Sequence, residues 1–328
     1  MTSSLSRQRC VALALTFSLL CLPSVHCFFG LKAAIPKVAL DTPFLILPGF
    51  GNDEIDYVDP LQQGFEKGLQ YCLQEKGVQS VSVLSIKRGA WLNIAKGVLK
   101  PSFWKSECKP YDLFDFYMDE VDRTVRRIRE QTGKPVVLVG HSAGGWLARA
   151  VLADGTWMAG NKRADGTRSS DFVAGLVTLG APHFPPREGF ADMTRGCLKF
   201  VDKSFPGAYL TSKPKGAEKS QSVFYITVGG TAVTGDALAE KRSAAKFAAD
   251  SYVQVTGNLE NGGSEAGDGV VPISNAHLSG AQQITLDGVW HSIQAPGNNW
   301  YGKPENIDLW LPQTLKLIAA RKQTASRV

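Results

Sequence analysis

Val136-Val137-Leu138-Val139-Gly140-His141-Ser142-Ala143-Gly144-Gly145-Trp146-Leu147 reads as a short buried β-strand, a tight turn and the first turn of a helix. Four consecutive aliphatics suit a parallel strand covered on both faces. Gly140-His141-Ser142-Ala143-Gly144 then fits G-x-S-x-G, the turn that holds a serine hydroxyl out beyond the edge of a sheet. The spacing has a physical cause. Strand and helix backbones pass close on either side of the serine, so only residues without bulk fit two positions away. The helix N-terminus also brings free N–H groups and the positive end of its dipole beside the hydroxyl, where a negative oxygen can be stabilised. A chain with 33 glycines can match five residues by chance. The strand before the motif and the helix after it favour the elbow.

Working outward, Thr42 to Leu47 is a buried strand and Pro48 to Asp53 a turn. Gln62 to Lys76 carries Phe65, Leu69, Cys72 and Leu73 near helical spacing and stops at Gly77. Ser80 to Ile86 is the next strand. A long helix follows over about Leu113 to Gln131, with Phe116, Val121, Val125 and Ile128 inward, and Gly133-Lys134-Pro135 breaks it. Beyond the elbow helix, Asp171 to Leu179, Ser222 to Val228 and Gln283 to Leu286 are strands, and about Glu305 to Arg321 is a closing helix. Strands alternate with helices throughout. The expectation is one α/β domain over residues 41–322, with a mostly parallel, doubly covered sheet of about six strands. No internal repeat or linker interrupts it.

The chain of 328 residues is 44% hydrophobic, enough for a large core, and its net charge is +6. The basic residues are scattered, so nucleic acid is not implied as a partner. The first 27 residues read as a signal peptide. Arg7 and Arg9 precede the apolar run Val11 to Leu22, whose 12 residues are too few to span a bilayer well, and Val25-His26-Cys27 resembles a cleavage site. Phe28 to Leu40 has no acidic residue and carries Lys32 and Lys37. This arrangement resembles the two-part plastid presequence of algae with secondary plastids, extending to about residue 40. Entry into the secretory pathway is expected, with a plastid or endomembrane lumen as destination and plain secretion as the alternative. Cys72, Cys108 and Cys197 remain after removal of the leader; an odd, widely spaced set is neither a disulfide framework nor a zinc pattern. One bridge among them is open. The mature chain has no N-x-S/T sequon.

Six strands with the serine after the third resemble the α/β-hydrolase fold without its first two strands, as in small lipases. The resemblance rests on Leu47-Pro48-Gly49-Phe50, Gly140 to Gly144, Thr178-Leu179-Gly180-Ala181-Pro182-His183, Gly267-Asp268-Gly269-Val270-Val271-Pro272 and Trp290-His291-Ser292, in that order. The chain is similar to the lipase-like family around the glycosylphosphatidylinositol inositol-deacylases, and to plant and algal plastid hydrolases of that group.

A serine hydroxyl is a weak nucleophile. It needs a base, and the base needs an orienting acid. In this fold the chain order is Ser, Asp or Glu, then His. His141 lies within the elbow and reads as structural. His183 precedes any candidate acid; it reads as structural, with lining the substrate cleft as the alternative. His277 is nine residues after Asp268, in a stretch that reads as a short helix. His291 directly follows the last strand, where the fold places its base. For the acid, Asp268 sits between glycines in a loop free to approach an imidazole. Asp236, nearer the end of the strand at 222–228, is the runner-up; the resemblance selects Asp268. A negative intermediate also needs two backbone donors. One is the N–H of Ala143. The resemblance points to Phe50 N–H as the other, although this chain has Pro48-Gly49 where many lipases have His-Gly.

Trp91 to Lys105 is apolar and basic together. Within a segment near 88–110 it reads either as a cap, with Trp91 and Trp104 on an acyl chain and Lys96, Lys100 and Lys105 against phosphate head groups, or as a loop packed on the core. Residues 184–220, with Phe200, Phe205 and Tyr209, are a second cap candidate. The resemblance and the triad residues imply a serine hydrolase acting on a lipid-like or other apolar acyl ester, with contact to a membrane surface as a further expectation. An acyltransferase or thioesterase with the same triad, and a silent lipid-binding protein, are the rivals. No metal or organic cofactor is implied, and the oligomeric state is not legible.

Overall fold

A computed structural model describes residues 37–153, 167–209 and 222–325. The leader over residues 1–27 lies outside these, as do most of the stretch to residue 40 and the 210–220 part of the second cap segment.

Six strands form the central sheet: β1 (Phe44–Leu47), β2 (Val81–Val83), β3 (Val136–His141), β4 (Val173–Leu179), β5 (Phe224–Thr231) and β6 (Gln282–Asp287). They are parallel throughout, in the order β2-β1-β3-β4-β5-β6. This is the α/β-hydrolase fold expected from the strand pattern. Every residue of β1, β3 and β4 is buried, so these strands carry continuous apolar runs. The edge strand β6 instead alternates toward solvent. The expected strand from Ser80 to Ile86 pairs only over Val81–Val83, because β2 is the other edge and has one neighbour.

Six α-helices of seven residues or more are described, α1 (Leu69–Glu75), α2 (Pro110–Thr132), α3 (Ala143–Leu152), α4 (Cys197–Ser204), α5 (Ala244–Thr256) and α6 (Pro304–Ala325), and a 3-10 helix runs over Arg88–Leu99. The two-residue side-chain period of β1 divides the core. Leu45 and Leu47 point to one layer with Val121 and Val125 of α2 and Leu147 and Val151 of α3. Phe44 and Ile46 point to the other with Leu69 and Leu73 of α1 and Trp310 and Leu315 of α6. Leader-side of α1, the expected helix from Gln62 is replaced by short helical turns; Leu61 and Gln62 take φ +56° and +54°, which no α-helix can contain. Cys72, Cys108 and Cys197 are buried free thiols. Among the described residues no helix is long and apolar enough to cross a membrane.

Register decides where chemistry collects. Leu47 lies opposite Gly140, and Gly140 opposite Thr178, so the turns after β1, β3 and β4 leave the sheet side by side. A short antiparallel pair, Val233–Thr234 with Ala266–Gly267, ties the segment after β5 to the residues just before Asp268.

Candidate active site

Ser142 stands between β3 and α3 with φ +51° and ψ −125°. A non-glycine residue there is strained by about 1–3 kcal/mol. The turn is held by Ser142 N–H donating to the Leu179 carbonyl (2.9 Å) and Gly145 N–H donating to the Ser142 carbonyl (3.0 Å). Close backbone approach explains two of the glycines. A Cβ on Gly144 would lie 2.3 Å from the Leu47 carbonyl oxygen, and one on Gly49 would lie 2.9 Å from Ser142 Cβ. The turn after β1 therefore rests directly against the serine.

The Ser142 hydroxyl lies 2.9 Å from His291 Nε2, and His291 Nδ1 lies 2.7 Å from Asp268 Oδ2. These contacts fit one tautomer, with Nδ1–H donating to the carboxylate and Nε2 accepting from the serine. Asp268 is buried. Its Oδ1 accepts from Val270 N–H (3.0 Å) and Val271 N–H (2.7 Å), and its Oδ2 also accepts from the Tyr301 hydroxyl (2.8 Å). Burial pushes this carboxyl up, but His291 and the two backbone donors outweigh it and hold the pKa below the usual carboxylate value. Tyr301 is itself oriented by accepting from Gly230 N–H at 2.8 Å. Burial and the neighbouring Asp268 keep its phenol protonated, so it remains a donor.

A second set of contacts runs behind the first. Tyr57 oxygen accepts from Gly49 N–H (2.9 Å) and from the Asn52 amide (2.8 Å). Its own proton then goes to His141 Nδ1 at 2.8 Å, which leaves His141 Nε2–H to donate to the His291 carbonyl at 2.8 Å. Burial, and then the neighbouring His291, lower the His141 pKa to about 3, so this ring is neutral. The elbow histidine thus links the turn after β1 to the backbone of His291. The same turn is fixed from the other side by the Tyr117 hydroxyl donating to the Pro48 carbonyl at 2.8 Å. With the Pro48 carbonyl and the Gly49 N–H engaged, Phe50 is the next residue of this turn that carries a backbone N–H. Ala143, the first residue of α3, has no acceptor within its own helix.

Several residues singled out in the sequence lie elsewhere. Asp236 is exposed, and its carboxylate accepts from Leu238 N–H in its own turn, 2.8 Å away. His277 bridges Thr227 and Thr285, each at 3.1 Å, across neighbouring strands. His183 does not line a cleft: it is fully buried, its Nε2 is 3.1 Å from Thr178 Oγ1, and its carbonyl accepts from Arg149. Trp91 is likewise a core residue. Its N–H donates to the Asn52 carbonyl (2.9 Å) and its ring packs on Phe50, Phe116 and Tyr117, so it braces the turn after β1 and offers little surface to a substrate. Trp104 remains 68% exposed. Lys96 and Lys100 are paired with Asp115 and Asp112 of α2, which removes them as free head-group contacts. Phe200 and Phe205 pack on the core. Tyr57, Tyr117 and Tyr301 carry no signal in the sequence, because nothing local says where a tyrosine hydroxyl will end.

The sequence pattern of the Alpha/beta hydrolase family matches residues 44–295. The lipase BlEst2 of Bacillus licheniformis in its mature form superposes with a TM-score of 0.51 at 14% identity, over 84% of this chain and 92% of that one. A soluble variant of monoglyceride lipase from Saccharomyces cerevisiae, in complex with a substrate analogue, gives 0.38 at 12% identity, over 84% and 87%. Esterase B from Lactobacillus rhamnosis, inhibited by a tributyrin phosphonate, gives 0.38 at 14%, over 88% and 79%. No curated protein matches the chain. At such identities the likeness concerns the fold.

Proposed function

The chain belongs to the alpha/beta hydrolase family, and we propose that within it the protein is a serine hydrolase that cleaves the carboxylic ester of an apolar acyl group. The observation that carries this reading is the unbroken line from Ser142 Oγ through His291 to Asp268, with contacts of 2.9 and 2.7 Å. Ser142 attacks the ester carbonyl while His291 Nε2 takes its proton. Asp268 holds the Nδ1–H and stabilises the imidazolium. The N–H groups of Ala143 and Phe50 receive the negative oxygen of the intermediate. His291 then passes its proton to the departing alcohol, and a water activated by the same ring releases the acid from the acyl-enzyme.

The apolar acyl class is supported by the surface beside the site. Phe50, Leu92, Val98, Leu99 and Trp104 are all exposed, and Phe50 rests on Trp91 within the same segment. Such a concentration of exposed apolar side chains suits contact with an acyl chain or a lipid surface. A place near the inositol-deacylase and plastid hydrolase group, and a plastid or endomembrane lumen, complete the proposal. A fluorophosphonate probe tests its centre. The wild-type protein should be labelled and Ser142→Ala should not. An unlabelled, folded wild type overturns the reading and leaves a binding protein on a hydrolase scaffold.

A further inference from the structure

Backbone contacts alone are enough to place Asp268. Its N–H donates to the Val271 carbonyl (3.2 Å), its carbonyl accepts from His291 N–H (2.9 Å), and its Oδ1 accepts from Val270 and Val271 N–H. Tyr301 adds a donor that this placement does not require. It acts on Oδ2, the oxygen that also holds His291 Nδ1, with contacts of 2.8 Å to the phenol and 2.7 Å to the imidazole.

The surroundings fix the direction of the phenol's bond. Tyr301 stands just before α6, fully buried, with its carbonyl accepting from the Trp310 N–H at 3.2 Å. Its oxygen accepts from Gly230 N–H of β5, so the single phenolic proton is left for Asp268. Gly180, just after β4, closes the third side. A Cβ there would lie 2.5 Å from Asp268 Oδ2 and 2.9 Å from the phenolic oxygen, so backbone rather than solvent walls the pair.

A donor that satisfies a carboxylate lowers its basicity, and with it the hold on a neighbouring imidazolium. In a buried site that change is little screened. We propose that Tyr301 is a positioning residue that acts through Asp268: by sharing Oδ2 it loosens the carboxylate's hold on protonated His291, keeps the base neutral further into acid, and so sets the lower pH limit of hydrolysis. The inference rests on the serine-hydrolase reading above and adds the control of its pH range. Among the described residues, the other titratable groups nearest the pair are His141, with its ring centre 5.0 Å from that of His291, Tyr57 bonded to His141, and Tyr252 beside Asp268. Burial lowers the His141 pKa to about 3 and keeps both phenols protonated, so none of them titrates in the same range.

The test is the pH profile of kcat/KM on a short p-nitrophenyl ester, whose acid limb reports the loss of the neutral base. Tyr301→Phe keeps the ring and removes the proton. With one donor fewer, Oδ2 holds the imidazolium more tightly, and the base stays protonated to higher pH. The acid limb should move up by about half a pH unit and the plateau should drop by up to about tenfold, since part of one hydrogen bond is at stake. Tyr252→Phe is the control for a lost buried phenol. That hydroxyl bonds to backbone, accepting from Gly269 N–H (2.9 Å) and donating to the Val233 carbonyl (3.0 Å). Its removal should lower the melting temperature and leave the limb in place. Replacing Tyr301 by 3-fluorotyrosine, a stronger donor of nearly the same shape, should move the limb down, and this protein decides alone if Tyr301→Phe does not fold. A limb that stays in place in the folded Tyr301→Phe or in the fluorinated protein, or that moves as far in Tyr252→Phe, overturns the inference. Fluorophosphonate labelling separates the two levels: a labelled wild type whose limb ignores Tyr301 loses the inference alone, and an unlabelled one loses both.

Discussion

Residues 136–147 and residues 88–105 are both rich in apolar side chains, yet they meet opposite fates. Every residue from Val136 to Leu147 is buried except Ser142. Between Arg88 and Lys105 only Trp91, Gly97 and Phe103 are buried, while Leu92, Leu99 and Trp104 stand in solvent. In the first stretch the aliphatic run, the small residues and the turn all serve one backbone path, so its outcome follows from local rules. In the second, apolar and basic residues alternate without a clean period, and only the neighbouring α2 decides which are covered. Two lysines that looked suited to lipid are used up by α2 carboxylates. A stretch that specifies its own geometry can be read from sequence; one that takes its geometry from a neighbour cannot.

The sharpest way to break this contrast is at its centre. Ser142→Ala, His291→Ala and the double variant should each lower hydrolysis of a short p-nitrophenyl ester by about a thousandfold or more, with losses that do not add. Ordinary turnover by Ser142→Ala would remove the central role of the elbow. Asp268→Asn should lower turnover by at least about a hundredfold with the fold intact, because an amide at this position favours the wrong imidazole tautomer. Asp236→Asn, on the surface, should change little; the reverse pattern would move the acid.

The other region supplies its own internal contrast. Trp91→Ala removes a buried aromatic and should destabilise by about 3–5 kcal/mol in chemical denaturation, with activity lost alike for all acyl lengths. Trp104→Ala removes an exposed one and should leave stability within about 0.5 kcal/mol. Its effect should instead grow along a series of esters from acetate to long chain. Equal losses at all lengths for Trp104→Ala would rule out a role on the acyl chain.

A further effect belongs to the elbow histidine alone. His141 is held neutral in the fold, with its pKa lowered to about 3, whereas an unfolded chain protonates it near 6.5. Between these values the unfolded state binds the extra proton, so stability falls as pH drops from about 6.5 toward 3, by up to about 1.4 kcal/mol per pH unit. Urea unfolding between pH 7 and pH 4 should show this slope, and a folded His141→Asn should flatten it. An unchanged slope would mean that other groups carry the acid sensitivity.

Much of the fold was legible because its signals are local. Continuous aliphatic runs mark strands buried on both faces, and β1, β3 and β4 stand where those runs are. Edges were harder. β2 is shorter than its apolar run, since a strand pairs only where a neighbour extends. Of the helix expected from Gln62 to Lys76, the second half stands as α1, while the first half gave way to short turns beginning at two residues with positive φ, which no pattern of hydrophobicity announces.

By itself the sequence determined the elbow, the alternation of strands and helices, and the order in which Ser142, Asp268 and His291 follow one another. Those features depend on residue size, period and turn chemistry within a few positions. Tertiary structure decided the rest. It chose Asp268 over Asp236 by bringing residues 23 apart in sequence within 2.7 Å. It buried His183 and Trp91, exposed Trp104, and set Tyr57 between Gly49 and His141 and Tyr301 between Gly230 and Asp268. The physical reason is that a polar group's partner is fixed by which buried donors and acceptors the packed layers leave together, and that is a property of the whole chain.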